Sequence, residues 1–246
     1  MFHKDTAMVF FDAGETLIHP SPSFPELLSS VCKEHGLAVN LSLLPAITRG
    51  LMSHIEDKQR NGFTFTSDAE TSRHFWLDFY SGLVREMGYD KVDGDLPYAL
   101  YEAFSDPSNY ESYHDVVETL DELKRRGMRL GLISNFEDWL DDLLDRLGLK
   151  SYFEVVVISG REGFEKPHPV IFEIALERGR VDSNLALHVG DSPISDLEGA
   201  LNVGMQALLL DRWERFPHIK DLRVRDLREI PPLLNTRVGG EWNGSR

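Results

Sequence analysis

Three polar side chains each follow a short apolar run, at Asp12, Ser134 and Asp191. A fourth candidate, Lys166, opens a Lys-Pro-His-Pro segment. Carboxylate oxygens are the ligands that Mg²⁺ prefers in proteins. A hydroxyl and an ammonium group can donate hydrogen bonds to anionic oxygens and stabilise negative charge that develops during a reaction. Together these residue types fit metal-assisted chemistry on an anionic group such as phosphate.

The runs that precede these residues are typical of a parallel sheet. They are short, continuously apolar and free of alternation, as expected for strands covered on both faces. Such runs lie at Met8–Phe11, Leu130–Ile133, Val155–Ile158, Ala186–Val189 and Gln206–Leu210. Because ligands of open α/β sheets bind beyond the carboxyl ends of the strands, polar residues that follow neighbouring strands would meet in one crevice.

Helical patterns alternate with these runs in the second half of the chain. They cover Asp115–Arg126, Glu137–Leu147, Val170–Arg178 and Ile194–Val203. This alternation of strand and helix predicts an α/β fold with a Rossmann-like, doubly wound parallel sheet.

The interval from about Leu17 to Ser112 interrupts the alternation and reads as entirely helical. Its first apolar stripe has helical spacing and comprises Leu44, Ile47, Leu51 and Ile55. We expect an all-helical cap, inserted between the first and second sheet strands. The core domain would then comprise residues 1–17 and 113–246, and the cap residues 18–112.

Closure of such a cap would exclude water and select the substrate. Candidates for substrate contact in this interval are Arg49, Arg60, Phe63, Phe65, Arg73 and Trp76.

Four short strings surround the candidate residues. They are Phe11-Asp-Ala-Gly-Glu-Thr-Leu17, Leu132-Ile-Ser-Asn135, Lys166-Pro-His-Pro-Val-Ile-Phe172 and Val189-Gly-Asp-Ser-Pro-Ile-Ser-Asp196. In this order and spacing, the strings resemble the signature of the haloacid dehalogenase superfamily of hydrolases. The resemblance extends from about residue 8 to residue 234 and places the helical cap between the first and second strings.

The resemblance implies catalysis through an aspartyl-phosphate. Asp12 would be the nucleophile, and Thr16 would hydrogen-bond it and hold its rotamer. Ser134, the amide of Asn135 and Lys166 would bind the substrate by donating to the oxygens of the transferring group. The implied catalytic residues are therefore Asp12, Thr16, Ser134 and Lys166.

The resemblance also implies Mg²⁺ as the cofactor. Its ligands would be Asp12, the backbone carbonyl of Gly14, Asp191 and Asp196. Asp196 would hold a metal-bound water or orient the lysine.

One position departs from the phosphatase members of this superfamily. They carry a second Asp two residues after the nucleophile, which protonates the leaving group and then activates water, whereas this chain has Gly14. General acid–base catalysis typically contributes about 10²–10⁴-fold. Either the leaving group departs without a proton, as from an acyl phosphate, or Glu15 or His19 substitutes, or the substrate is not a phosphomonoester, or activity is lost.

The expected function is that of a Mg²⁺-dependent phosphatase acting on a small phosphorylated or otherwise anionic metabolite. A catalytically degenerate binding or regulatory protein remains an alternative. A 2-haloacid dehalogenase-type hydrolase is another, because halide needs no proton. Dehalogenase members lack the metal-binding Gly-Asp pair, however, and this chain has Gly190 and Asp191 followed by Asp196.

Composition limits the partners of the chain. Its 246 residues carry a formal net charge of −15, which argues against nucleic acid as a partner. No apolar run approaches the roughly 18–20 residues needed to span a bilayer, and the first residues do not resemble a secretory leader. With Cys32 as the only cysteine, we expect a cytoplasmic protein without a membrane partner. The sequence leaves the oligomeric state open.

Overall fold

The structure, a computed structural model, describes residues 6–60, 63–88 and 95–234. Its strands are β1 (Met8–Phe11), β2 (Ile18–Pro20), β3 (Tyr110–Ser112), β4 (Arg129–Ser134), β5 (Val155–Ile158), β6 (Ala186–Gly190), β7 (Gln206–Leu210) and β8 (Arg223–Val224). Its α-helices are α1 (Phe24–Glu34), α2 (Leu44–Arg60), α3 (Ala69–Glu86), α4 (Asp95–Ser105), α5 (Val116–Arg125), α6 (Leu140–Arg146), α7 (Ser159–Glu162), α8 (Pro169–Gly179), α9 (Gly199–Asn202) and α10 (Ile230–Leu233).

Six strands form one parallel sheet in the order β5-β4-β1-β6-β7-β8. Strand β1 is central, and its Phe11 lies opposite Leu132 of β4 and Val189 of β6. The strand order reverses beside β1, and ligands of open α/β sheets bind at such a switch point. The predicted Rossmann-like α/β fold is confirmed.

The sheet is covered on both faces. Val9 and Phe11 belong to one hydrophobic cluster, whereas Met8 and Phe10 belong to the other. This division follows from strand geometry, because successive side chains point to opposite faces. All four side chains are fully buried, which accounts for the continuous apolar run in the sequence.

The segment after β6 differs from the predicted single helix over Ile194–Val203. Pro193–Glu198 forms a π-helical turn, and α9 follows it. The backbone N–H groups of Asp196 and Leu197 both donate to the carbonyl of Ser192, each at 3.1 Å. The wide turn therefore keeps Asp196 beside the strand end.

Helices α1 to α4 form a third hydrophobic cluster, in which Leu28, Leu83 and Leu100 are fully buried. The prediction of an entirely helical interval is wrong at both ends, because β2 and β3 pair as an antiparallel ribbon. Strand β2 precedes α1 and strand β3 follows α4. These two segments therefore lie side by side, and their backbones can pair. The boundaries of the predicted core and cap stay a prediction, and residues 1–5 and 235–246 of that core lie outside the described residues.

No α-helix in residues 6–60, 63–88 and 95–234 combines the length and apolarity needed to cross a membrane.

Candidate functional site

The candidate polar residues meet at the carboxyl edge of the sheet, beside β1. The Nζ atom of Lys166 lies 2.7 Å from Oδ1 of Asp12 and 2.5 Å from Oδ1 of Asp196. Ser134 donates its hydroxyl to the same Oδ1 atom of Asp12 at 3.0 Å. One carboxylate oxygen each of Asp12, Asp191 and Asp196 lie within 4.8 Å of one another. Residues distant in sequence thus form one compact polar cluster.

Asp12 is fixed by both its backbone and its side chain. Its N–H donates to the carbonyl of Val189 at 2.9 Å, which extends the pairing of β1 with β6 by one residue. The side-chain hydrogen bonds from Ser134 and Lys166 both use Oδ1. The other carboxylate oxygen therefore remains available for a ligand or a reacting atom.

Lys166 is a buried cation, with 1% of its surface exposed. Burial favours the neutral amine, but the charges of Asp12 and Asp196 outweigh it and raise the pKa of Lys166. The ammonium form therefore persists at neutral pH. Two hydrogen bonds with the Asn135 side chain hold the backbone of this residue, at 2.7 Å to its N–H and 2.8 Å to its carbonyl.

The position of Asp196 depends on groups that sequence reasoning did not assign to the site. His188 Nε2 lies 2.8 Å from Oδ1 of Asp196, and the N–H of Ser192 donates to Oδ2 at 3.0 Å. A Cβ added to Gly190 would lie 2.1 Å from Cγ of Asp196, so only glycine allows this approach. His188 is fully buried, and the signal for it in the sequence is one polar side chain inside an otherwise apolar strand.

Negative charge exceeds positive charge around Asp191. Burial and repulsion from Asp196 and Asp12 raise the pKa of Asp191 to about 8, although Arg215 opposes the shift. The Arg215 guanidinium donates to Oδ2 of Asp191 at 3.0 Å. A divalent cation would relieve this crowding, and hard carboxylate oxygens suit Mg²⁺. The chemistry of these carboxylates thus fits the expected metal.

No pattern in the sequence marked Arg215 as a residue of the site. It lies in the segment after β7, where the side chain of Asp211 accepts hydrogen bonds from the N–H groups of Arg215 and Phe216 at 2.7 and 2.9 Å. This local turn brings an arginine from far along the chain to the end of β6.

The turn after Asp12 contains Gly14, the position at which phosphatase members of the superfamily carry a second Asp. A Cβ added to Gly14 would meet only the ring of Phe136, at 4.0 Å, which is an ordinary van der Waals contact. Glu15 lines the cavity above the site, and its Oε2 accepts a hydrogen bond from Tyr113 at 2.9 Å. His19 does not belong to the described lining, and its Nδ1 lies 2.8 Å from the carbonyl of Pro20.

Thr16 does not make the predicted hydrogen bond to Asp12. Its hydroxyl is buried and has no hydrogen-bond partner in the part of the chain that the structure describes. The chain bends at Glu15, whose φ of 55° turns the backbone away from the direction of β1 one residue earlier. A catalytic role for Thr16 stays a prediction without a direct contact to support it.

A cavity of about 390 Å³ lies between the polar cluster and the inserted helices. Its floor includes Asp12, Lys166 and Asp191, and its wall includes Phe65 and Trp76, two of the predicted contact residues. Phe63 and Arg73 are not part of the described lining: Phe63 is 61% exposed, and Arg73 lies over the ring of Tyr98. The side chains of Arg49 and Arg60 lie outside the described residues.

Comparison with known proteins identifies the family. The family described as haloacid dehalogenase-like hydrolase matches residues 6–204. The chain belongs to this family of hydrolases. This confirms the superfamily that the four sequence strings indicated.

Several relatives match nearly the whole chain. Haloacid dehalogenase-like hydrolase domain-containing protein 3 of Mus musculus is 32% identical over 222 residues, which cover 89% of this chain and 86% of that protein. Glyceraldehyde 3-phosphate phosphatase of Methanopyrus kandleri is 30% identical over 231 residues, covering 91% and 90%. The HAD-hydrolase YfnB of Bacillus subtilis has the same fold, with a TM-score of 0.75 at 20% identity over 94% and 100% of the chains.

Proposed function

We propose that this hydrolase is a Mg²⁺-dependent phosphatase that acts on a small phosphorylated metabolite through an aspartyl-phosphate on Asp12. The observation that carries the proposal is the contact of Lys166 with both Asp12 and Asp196, next to Asp191. A buried ammonium group among three carboxylates suits a site that holds a dianionic phosphoryl group beside an acidic nucleophile. The similarity to a glyceraldehyde 3-phosphate phosphatase supports phosphatase activity.

Asp12, Asp191, Asp196 and the carbonyl of Gly14 are the proposed residues that hold Mg²⁺. When bound, the cation supplies positive charge that neutralises carboxylate and phosphoryl oxygens during transfer. Arg215 contacts Asp191 from the side of the exposed loop and compensates part of the same charge.

In the proposed first step, an oxygen of Asp12 forms a bond to phosphorus while the bond to the leaving oxygen breaks. The electron pair of that bond departs with the leaving group. Ser134 and Lys166 hold the nucleophilic carboxylate in one orientation, which lowers the entropic part of the barrier. Lys166, Ser134 and the amide of Asn135 stabilise the charge on the transferring oxygens.

In the proposed second step, water attacks the phosphorus of the aspartyl-phosphate. The bond between phosphorus and the Asp12 oxygen breaks, inorganic phosphate leaves with both protons of the water, and the Asp12 carboxylate is restored. Gly14 cannot accept or donate a proton in either step, and Glu15, the neighbouring carboxylate of the cavity lining, already accepts a hydrogen bond from Tyr113 at 2.9 Å. We therefore propose that the substrate has a leaving group that departs without a proton from the chain.

We also propose that residues 18–112 act as a cap over a core formed by residues 1–17 and 113–246. Helices α1 to α4 carry their own hydrophobic cluster and contribute much of the cavity wall above Asp12. A cap in this position would exclude water from the aspartyl-phosphate until the leaving group has departed.

The test uses acetyl phosphate with purified protein, with Mg²⁺ or with EDTA. We expect hydrolysis that needs Mg²⁺ and is lost in Asp12→Asn. The matched control is Asp145→Asn, an exposed carboxylate of α6, which should keep the wild-type rate. A full rate in Asp12→Asn would overturn the assignment of the nucleophile.

A degenerate binding protein is the second candidate, and Gly14 is the observation that favours it. A binding protein of this kind should bind phosphate in calorimetry in a way that depends on Asp12, and it should show no turnover with any metal ion. A 2-haloacid dehalogenase would instead release halide from a 2-haloacid without metal, a result that would contradict the phosphatase proposal.

A further inference from the structure

We propose that the substrate is an aryl phosphate, the phosphate ester of an aromatic hydroxyl group. The inference rests on the proposed phosphatase function and names its substrate class. It is carried by the rings that line the cavity and by the space next to Gly14.

The wall formed by the inserted helices is a continuous set of aromatic rings. In order of contact they are Phe65, Phe75, Trp76, Tyr80, Phe104 and Phe24, and all of them line the cavity. Neighbouring centroids lie between 4.3 Å, for Phe65 and Phe75, and 5.9 Å, for Trp76 and Tyr80. These distances fall within the range of favourable aromatic contacts.

A second group of rings, Phe136 and Trp139 with Tyr110 of β3, lines the same cavity next to the polar cluster. The centroid of Trp139 lies 4.7 Å from that of Phe136 and 5.5 Å from that of Tyr110. Phe136 is also the nearest contact of a Cβ added to Gly14. An aromatic ring thus stands next to the position where phosphatases of this superfamily carry an acid, so an apolar leaving group would meet an apolar surface there.

Several polar groups of the cavity wall are engaged in hydrogen bonds within the protein. Glu137 accepts hydrogen bonds from Tyr101 at 3.0 Å and from Nε1 of Trp139 at 2.8 Å. The hydroxyl of Tyr110 donates to the carbonyl of Phe104 at 2.8 Å. These groups are therefore less available to the hydroxyl groups of a substrate, which would lose hydrogen bonds to water on binding.

The described lining contains two basic side chains, Lys166 and Arg215, and both contact carboxylates of the polar cluster. No lysine or arginine belongs to the described lining from α1, α3 and α4. The floor of the cavity can therefore bind one phosphate group. The described wall offers no cation to a second anionic group.

The acidity of the leaving group favours the same substrate class, independently of the residues that line the cavity. An aromatic hydroxyl such as that of tyrosine ionises near pH 10, whereas water has a pKa of about 15.7 and aliphatic alcohols resemble it. A phenolate can therefore leave with its electron pair when no side chain supplies a proton. Both the rings and Gly14 favour an aryl ester over an alkyl ester.

The experiment compares kcat/KM for three phosphate monoesters with Mg²⁺. They are 2-naphthyl phosphate, 2-naphthylmethyl phosphate and hexafluoroisopropyl phosphate. The second keeps the ring but has a poor leaving group, and the third has an acidic alcohol without a ring. We expect 2-naphthyl phosphate to exceed the naphthylmethyl ester by about 100-fold or more, because protonation by a general acid typically contributes about 10²–10⁴-fold. It should exceed the hexafluoroisopropyl ester by about tenfold.

Equal rates for 2-naphthyl and hexafluoroisopropyl phosphate would overturn recognition of the ring. Equal rates for the two naphthyl esters would overturn selection by the leaving group. Hydrolysis of acetyl phosphate that needs Mg²⁺ and Asp12, without preference for the aryl ester, would leave the proposed function standing and remove this inference alone.

Binding tests the ring independently of turnover. In calorimetry, 2-naphthylmethylphosphonate should bind about tenfold tighter than methylphosphonate to the wild-type protein with Mg²⁺. Trp76→Leu should reduce this preference, with Phe75→Leu as the second variant if the first fails to fold. The control Trp213→Leu alters a ring that is 65% exposed and not part of the described lining, and should keep the preference. Equal affinities for the two phosphonates would overturn the proposal even in a protein without turnover.

Discussion

The floor and the wall of the cavity are held together by different kinds of interaction. At the floor, short hydrogen bonds between charged groups hold Asp12, Lys166 and Asp196 in one arrangement. In the wall, six rings contributed by α1, α3, α4 and the segment before α3 contact one another without any charged group among them. A buried charge at the floor carries a large penalty when it loses its partner, whereas the wall is held by apolar contacts, for which volume-conserving exchanges usually cost little.

This difference indicates which part of the molecule sets the reaction and which sets the substrate. A buried charge that loses its partner carries a large penalty, so substitutions at the floor should affect both turnover and folding. A ring exchanged for another apolar side chain alters shape more than energy, so substitutions in the wall should alter selectivity. The segment that joins the two regions is the loop ahead of α3, which contacts Glu165 next to Lys166.

The largest effect is expected for Lys166→Met. The variant should lose turnover by at least about 10³-fold, because the carboxylates of Asp12 and Asp196 lose their shared cation. It should also unfold more easily, since breaking a buried ion pair typically costs about 3–5 kcal/mol. Added Mg²⁺ should recover part of the stability in thermal unfolding, because it would bind the same carboxylates.

The control for that variant is Lys150→Met, which removes an exposed lysine paired with Asp141 at 2.8 Å. It should keep the wild-type rate and lose little stability, since surface ion pairs contribute little. A rate in Lys166→Met within tenfold of wild type would show that the charged floor does not govern turnover.

Gly14→Asp should sharpen the comparison by changing which leaving groups are accepted. Glycine at this position has no positive φ, and an added Cβ has room, so the variant should fold. Hydrolysis of 2-naphthylmethyl phosphate should rise by about 10²-fold through the added general acid. Hydrolysis of 2-naphthyl phosphate should change much less, as measured by kcat/KM for the two esters. An unchanged ratio would mean that another group already supplies the proton.

His188→Phe should lower kcat by about tenfold or more, the usual effect of removing a group that orients a metal-site residue. His188 lies behind Asp196 and does not line the cavity, so KM for the naphthyl ester should change little. His188→Gln retains a donor and should recover part of the rate if the hydrogen bond is what matters. Equal losses in both variants would indicate disturbed packing of β6 instead.

The smallest effect is expected where the wall meets the floor. Oε2 of Glu165 accepts hydrogen bonds from the N–H groups of Phe65 and Thr66 and from the Thr66 hydroxyl, at 2.8 to 2.9 Å. Thr66→Val removes the last of these and should destabilise the protein by about 1–2 kcal/mol. That corresponds to a decrease in Tm of roughly 2–8 °C for a chain of this size.

Because Phe65 precedes Thr66, Thr66→Val should also weaken the preference for aryl esters. Thr64→Val, at an exposed position two residues earlier, is the matched control and should leave both Tm and preference unchanged. A wild-type Tm in Thr66→Val would show that the hydrogen bond from the Thr66 hydroxyl does not help to anchor the wall.

The amino-acid sequence by itself determined the sheet and the residues that gather at its edge. Apolar runs without alternation marked β1, β4, β5, β6 and β7, because strands covered on both faces need such runs. Asp12, Ser134 and Asp191 could be expected to meet, since parallel strands end at the same edge. Lys166 and Asp196 were implied by the resemblance to the hydrolase superfamily. The structure brings Asp12, Ser134, Lys166, Asp191 and Asp196 together there, while their roles remain proposals.

Tertiary structure alone decided the contacts between segments that local patterns do not connect. The ribbon of β2 and β3 has only three residues per strand and forms because the segments before α1 and after α4 lie side by side. Arg215 reaches Asp191 through a turn held by Asp211, and Thr16 loses its expected bond through a bend at Glu15. The aromatic wall could not be assigned from the sequence, since helical spacing shows which residues share a face but not which cavity that face borders.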